Sequence, residues 1–176
     1  VVFFLGRLVF AAWGGHRLKK SATIICEGRL FRFVLNQTQE LKLRSTPVLG
    51  VCERIAVPTV VGFFQPFVLL PASLATGLTT EEIQAVIMHE LAHVRRHDLS
   101  INLVQRLIES MLFFHPVVWY LSKRLSTERE KCCDDLVVAA GCDRVSYAGA
   151  LLRMAELCSA SQSEPSVALA ADGSSR

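Results

Sequence analysis

None of the six cysteines belongs to a CxxC pair, and two of them, Cys132 and Cys133, are adjacent. That spacing argues against a structural zinc site of the cysteine type. In a chain of 176 residues the cysteines read as reduced, mostly buried thiols of a cytosolic domain. Charge of either sign is also sparse: 19 Lys and Arg against 16 Asp and Glu leave a formal net charge of +3. There is no nucleic-acid-binding motif and no interleaving of aromatic with basic residues, which argues against a direct nucleic-acid partner. No internal repeat is visible. No apolar run reaches the roughly 20 residues that a full membrane span needs.

What the chain does have is apolar bulk, with 51% hydrophobic residues and a mean hydropathy of +0.37. This is high for a soluble domain and points to contact with a bilayer. Val1–Trp13 reads VVFFLGRLVFAAW, with Arg7 its only charge. The chain opens on Val rather than Met, so residues 1–15 are expected to be the end of a transmembrane helix that begins upstream. A signal peptide would place its basic residues before the apolar run, and here they follow it. His16, Arg17, Lys19, Lys20, Arg29 and Arg32 make 16–40 a basic juxtamembrane segment, which marks the cytoplasmic side. His16 is read as interfacial. The size allows one sizeable core, expected over 41–158. The Ser/Ala-rich stretch 159–176 is expected to be a disordered tail.

Within that domain the pattern predicts a mainly α fold with a small β-sheet, an α+β class. Val48–Cys52, Ile55–Val61 and Phe67–Leu70 are short apolar runs punctuated by Pro47, Pro58, Gly62, Pro66 and Pro71, as in a small sheet or a pair of hairpins. Thr79-Thr80-Glu81-Glu82 spells a capping box that should start a helix from about Thr80 to His97. A second helix, Leu99–Phe114, carries a stripe of Leu99, Leu103, Val104, Leu107, Ile108, Met111 and Leu112 opposite Asn102, Arg106 and Glu109. Pro116 should restart the chain as a third helix to about Ala140, closed by Gly141. A fourth runs from about Ser146 to Leu157. The belt from Phe113 to Leu121 suits either a bilayer surface or a cover for the first of these helices.

The chemistry concentrates in His89-Glu90-Leu91-Ala92-His93. Residues four apart share a helix face, so His89 and His93 can offer imidazole nitrogens to one metal ion. Glu90 projects beside them, where it can take a proton from a metal-activated water. Val86, Ile87, Met88, Leu91 and Ala92 mark the helix as buried, and charged groups rarely sit there unless paired or bound to metal. The expected cofactor is zinc (Zn2+), and the expected activity is that of a zinc metalloendopeptidase.

Tetrahedral zinc needs one more protein ligand and an open position. A third His six residues beyond His93 is absent, since Leu99 stands there, and Asp172-Gly173 lies in the polar tail rather than in an apolar span. Glu130 and Asp134 share a helix face, so that one can bind metal while the other orients a ligand histidine through its free N–H. Glu109 could reach the metal only by turning the apolar stripe of its helix outward. Glu128 lies about 200° around the helix from Glu130, so at most one of the two faces the metal. Small neighbours, Ser126 and Thr127, and the acidic partner favour Glu130 as ligand, with Asp134 behind a histidine. Asp98 is read as a helix cap, His97 as a surface or supporting residue, His115 as a packed junction histidine, and Arg95–Arg96 as a solvated face. A strand edge within Val57–Leu70 could hold a substrate backbone extended.

HELAHVRRHDL, Phe114-His115-Pro116, Arg129-Glu130-x-x-Cys133-Asp134-Asp135 and Tyr147-Ala148-x-x-Leu151-Leu152 follow one another in fixed order. With the Pro58–Pro71 stretch, they resemble the BlaR/MecR-type membrane metallopeptidases, proteolytic transducers of bacterial antibiotic sensing. The resemblance implies a gluzincin-like, mostly helical zinc domain facing the cytoplasm beside transmembrane helices. It implies His89, His93 and Glu130 as ligands and Glu90 as the catalytic glutamate. The implied substrate is a protein, either a transcriptional repressor or the chain itself. Nothing like a Ser-x-x-Lys sensor is present in these residues, so the sensor does not carry over and the resemblance leaves the signal open. HtpX-like and CAAX-protease-like peptidases share the HExxH plus ExxxD plan and are the enzymatic alternative. A zinc-binding module that signals without catalysis is the other alternative, and the intact Glu90 argues against it.

Overall fold

The computed structural model describes residues 14, 15 and 17–162. The apolar run Val1–Trp13, His16 and the tail from 163 onward lie outside the described residues, and with them the expected transmembrane helix end. Among the described residues no helix is long and apolar enough to cross a membrane.

Four strands form one mixed sheet: β1 (Thr23–Ile25), β2 (Val48–Cys52), β3 (Thr59–Val61) and β4 (Phe67–Pro71), in the order β1-β2-β4-β3. β1 runs antiparallel to β2 and β3 antiparallel to β4, whereas β2 and β4 are parallel, with Leu49 opposite Val68 and Val51 opposite Leu70. This is a single sheet rather than a pair of hairpins. β3 turns into β4 through Gly62, whose φ of 97° is a backbone state that L side chains rarely adopt. A Cβ there would also collide with the Gln65 carbonyl and the end of Lys19.

The helices are α1 (Arg29–Glu40), α2 (Ala72–Gly77), α3 (Thr80–Arg95), α4 (Asp98–Met111), α5 (Pro116–Ala139) and α6 (Arg144–Gln162). The expected mainly α fold with a small sheet is what forms. α3 is its axle. Ile83, Ala85, Val86, Ile87, Met88, Leu91 and Ala92 are all buried on it, and it touches α1, β3, β4, α4, α5 and α6. A helix apolar on most of its circumference has to be surrounded. Val34 of α1, Leu49, Val68 and Leu70 of the sheet, Val137 of α5 and Ala150 of α6 complete one core around it.

Two expected boundaries and one expected helix face change. The segment 16–40 is not an appendage to the domain. β1 pairs with β2, and α1 buries Val34 and packs Leu30 and Phe33 into the core while its charged residues face water. α6 runs to Gln162 and so takes 159–162 from the stretch expected to be disordered. α4 is turned over: Asp98, Glu109 and Ser110 are its buried residues, and its apolar stripe faces outward.

Candidate metal centre

The capping box sets the start of α3. The Thr79 side-chain oxygen accepts from the Glu82 N–H at 3.3 Å, and the Glu82 carboxylate accepts from the Thr79 N–H at 2.8 Å. From that origin the helix phase puts His89 and His93 side by side on the face that meets α5. Their Nε2 atoms stand 3.2 Å apart, with the rings at 85°. α5 brings Glu130 to the same point, its Oε2 at 3.5 Å from His89 Nε2 and 3.6 Å from His93 Nε2.

The far side of each imidazole is tied back. The His89 Nδ1–H donates to the Tyr147 hydroxyl at 2.8 Å, and that hydroxyl donates to Asp134 Oδ1 at 2.7 Å. Asp134 also lies 3.2 Å from His89 Nδ1. The His93 Nδ1–H donates to Asp98 Oδ2 at 2.8 Å, and Cys133 Sγ sits 3.5 Å from the same oxygen. With both Nδ1–H groups donating to these partners, both Nε2 lone pairs point at one spot beside a carboxylate oxygen. Two acceptors and an anion 3.2 to 3.6 Å apart repel one another unless a cation lies between them. The spacing also suits zinc–nitrogen bonds of about 2.0–2.1 Å at a tetrahedral ion. This His2Glu set therefore fits zinc.

Residues 1–175 match the family described as BlaR1 peptidase M56. The chain belongs to that family. It is 30% identical over 122 residues to the regulatory protein BlaR1 of Bacillus licheniformis, which covers 69% of this chain and 20% of that protein. It is 30% identical over 77 residues to the methicillin resistance mecR1 protein of Staphylococcus aureus, covering 44% of this chain and 13% of the relative. The chain thus spans a fifth or less of the length of these curated relatives. In structure it resembles the crystal structure of S. mikatae Ste24p, with a TM-score of 0.53 over 90% of this chain and 50% of that one. At 13% identity the likeness is one of fold.

Glu90 of the M56 chain lines a cleft of about 990 Å3 together with His93, His97, Glu130, Phe63 and Arg106. Burial raises its carboxyl from the ordinary 4.5 to about 7, with Glu130 adding to the rise and His93 opposing it. A bound cation would pull that value back down. Burial, with His93 beside it, lowers the pKa of His89, which favours the neutral, ligating imidazole. The Cys133 thiol is pushed up to about 12 by burial and by Asp98, so it stays protonated and can donate.

The other candidates go elsewhere. Glu109 is buried against Gln105 at 3.0 Å and Arg106 at 3.1 Å, and Glu128 pairs with Lys131 at 3.0 Å on the surface. Asp98 corrects its expected role. His97, at φ 55°, occupies the position before α4, no side-chain cap forms, and the Asp98 carboxylate turns back to His93. Arg96, two residues earlier, is half-buried at 3.6 Å from Asp98, so the Arg95–Arg96 pair is not wholly solvated. His115 is exposed rather than packed. Tyr147 and Cys133 were visible only as letters of longer motifs, because their partners come from distant helices.

Proposed function

We propose that this chain is the catalytic segment of a membrane-associated zinc endopeptidase that cleaves a protein substrate, a repressor or the chain itself, in BlaR/MecR-type signalling. The observation that carries the proposal is the convergence of His89 Nε2, His93 Nε2 and Glu130 Oε2, with Glu90 on the adjoining cleft wall. His89, His93 and Glu130 would hold the metal. Zinc supplies Lewis acidity there, making a water nucleophilic near neutral pH and polarising a peptide carbonyl.

The chain's own residues do the rest. Glu90 takes the water proton as attack proceeds and passes it to the leaving amine nitrogen. Tyr147 with Asp134, and Asp98 with Cys133, hold the two imidazoles in the tautomer and orientation that present Nε2 to the cleft. β3 is an edge strand, and Val60 lines the same cleft, so an extended substrate backbone can lie along it.

The test is the Glu90→Gln variant, assayed for peptide cleavage and for zinc content. Cleavage should vanish while about one zinc per chain remains. Full activity removes Glu90 as the base, and loss of zinc makes it a ligand. A parent chain that binds zinc and cleaves nothing would instead be a signalling module without catalysis.

A further inference from the structure

α4 is packed inside out. Gln105 donates to Glu109 at 3.0 Å and to the Ser122 carbonyl at 3.3 Å, and Arg129 of α5 donates to Gln105 at 2.9 Å. Rolling α4 over to bury its leucines would strand this buried network, which is costly for charged and amide groups. The stripe is left outside instead: Leu103, Val104, Leu107, Ile108 and Met111 are 39% to 64% exposed. It continues around the turn through Phe114 and onto α5 through Trp119, Tyr120 and Leu121, all exposed. A patch this continuous is held open only if something apolar covers it.

The charges identify the cover. Between Asp98 and Glu128 the one acidic residue is Glu109, and both Asp98 and Glu109 are buried, so the outward surface of 99–127 shows no carboxylate. Lys123 and Arg124 are exposed on α5, roughly 10 Å along the axis from Pro116. The order along the surface is therefore an apolar elbow, the amphipathic rings of Trp119 and Tyr120, and then cations. That is the layering of an interfacial segment against anionic lipid. Gly15 also sits nearby. A Cβ at Gly15 would lie 3.8 Å from Val61, and the neighbouring Gly62, Phe63 and the 93% exposed Phe64 border the same cleft as Leu99.

We propose that the outward face of α4 and the first two turns of α5 form a membrane-seating surface that enters the interfacial layer of an anionic bilayer. Leu99, Asn102 and Arg106 of α4 line the cleft that holds Glu90 and Glu130. Seating therefore holds the mouth of the cleft at the lipid surface. In consequence, resting here on the peptidase proposal above, the preferred substrate segments are those close to the membrane.

Trp119 reports on this directly. In the 176-residue chain carrying Trp13→Phe, it is the sole tryptophan. With phosphatidylglycerol-containing vesicles its emission should shift to the blue and be quenched at least twofold by lipids brominated high on the acyl chain. Lys123→Gln with Arg124→Gln should weaken partitioning into anionic vesicles about thirtyfold, at about 1 kcal/mol per basic residue near the surface. Vesicle-bound chain with Trp119 unquenched overturns the proposal, since another segment then does the binding. So does no binding at all, or a lipid-free dimer in light scattering that shields Trp119, which would make a second copy the cover. Leu107→Ser with Met111→Ser should lose quenching yet keep zinc and cleavage of a short soluble peptide. Loss of those two properties in the parent chain would instead count against the peptidase proposal alone.

Discussion

His89 and His93 each use their two ring nitrogens for different work, and that division decides what single substitutions should do. The front nitrogens meet Glu130, while the rear ones meet Tyr147 with Asp134 and Asp98 with Cys133. Glu130→Ala should therefore lower zinc occupancy sharply. Asp134→Ala and Asp98→Asn should each weaken zinc affinity by about 10–100-fold, as changes behind a ligand histidine do. Glu128→Ala should be nearly silent, because its carboxylate pairs with Lys131 on the outer surface. Metal analysis of the four purified variants decides the matter, and a zinc-free Glu128→Ala beside a zinc-loaded Glu130→Ala would reverse the assignment. The pentad is legible in sequence because its geometry lies within one turn of one helix. Asp98 is not, because its direction depends on the left-handed turn at His97, and an Asp next to a helix start reads as a cap.

At the scale of the element, α3 and α4 obey different rules. α3 begins where its capping box says, and this predicts that Thr79→Ala lowers the unfolding free energy by about 1 kcal/mol. Thermal or denaturant unfolding checks it, and an unchanged midpoint would show that packing alone fixes the helix start. The Glu82 carboxyl is held below its ordinary 4.5, chiefly by the backbone N–H of Thr79. Because its folded pKa is depressed, its contribution is present above the unfolded value and is lost as pH falls through the lower folded value. The difference between parent and Glu82→Gln in denaturant midpoint should shrink on acidification. α4 shows the limit of periodicity. The spacing of Leu103, Leu107 and Met111 says that they share a face, but which face is inward depended on Gln105 and Glu109 finding Arg129 and Ser122 on α5.

For the whole molecule, the basic residues that follow the apolar run predict the side of the membrane. Lys19 and Lys20 should be reachable from the cytoplasm and protected from outside in the intact membrane-bound protein. Labelling of single cysteines placed at these positions tests this, and labelling from outside would refute it. The same orientation would put the cleft and the α4 surface on one side.

The amino-acid sequence by itself determined the α+β class, the start of α3, the pairing of His89 with His93, and Glu130 with Asp134 as a pair on one helix face. All of these follow from local periods and caps, which act within a turn or two of the chain. The tertiary structure decided that β2 and β4 run parallel, that 23–40 belongs to the domain, that Asp98 and Tyr147 stand behind the histidines, and that α4 faces outward. Each of these depends on groups far apart in the chain competing for the same buried hydrogen bonds and volume. A one-dimensional pattern records which residues can share a face, and only the packed assembly records what that face meets.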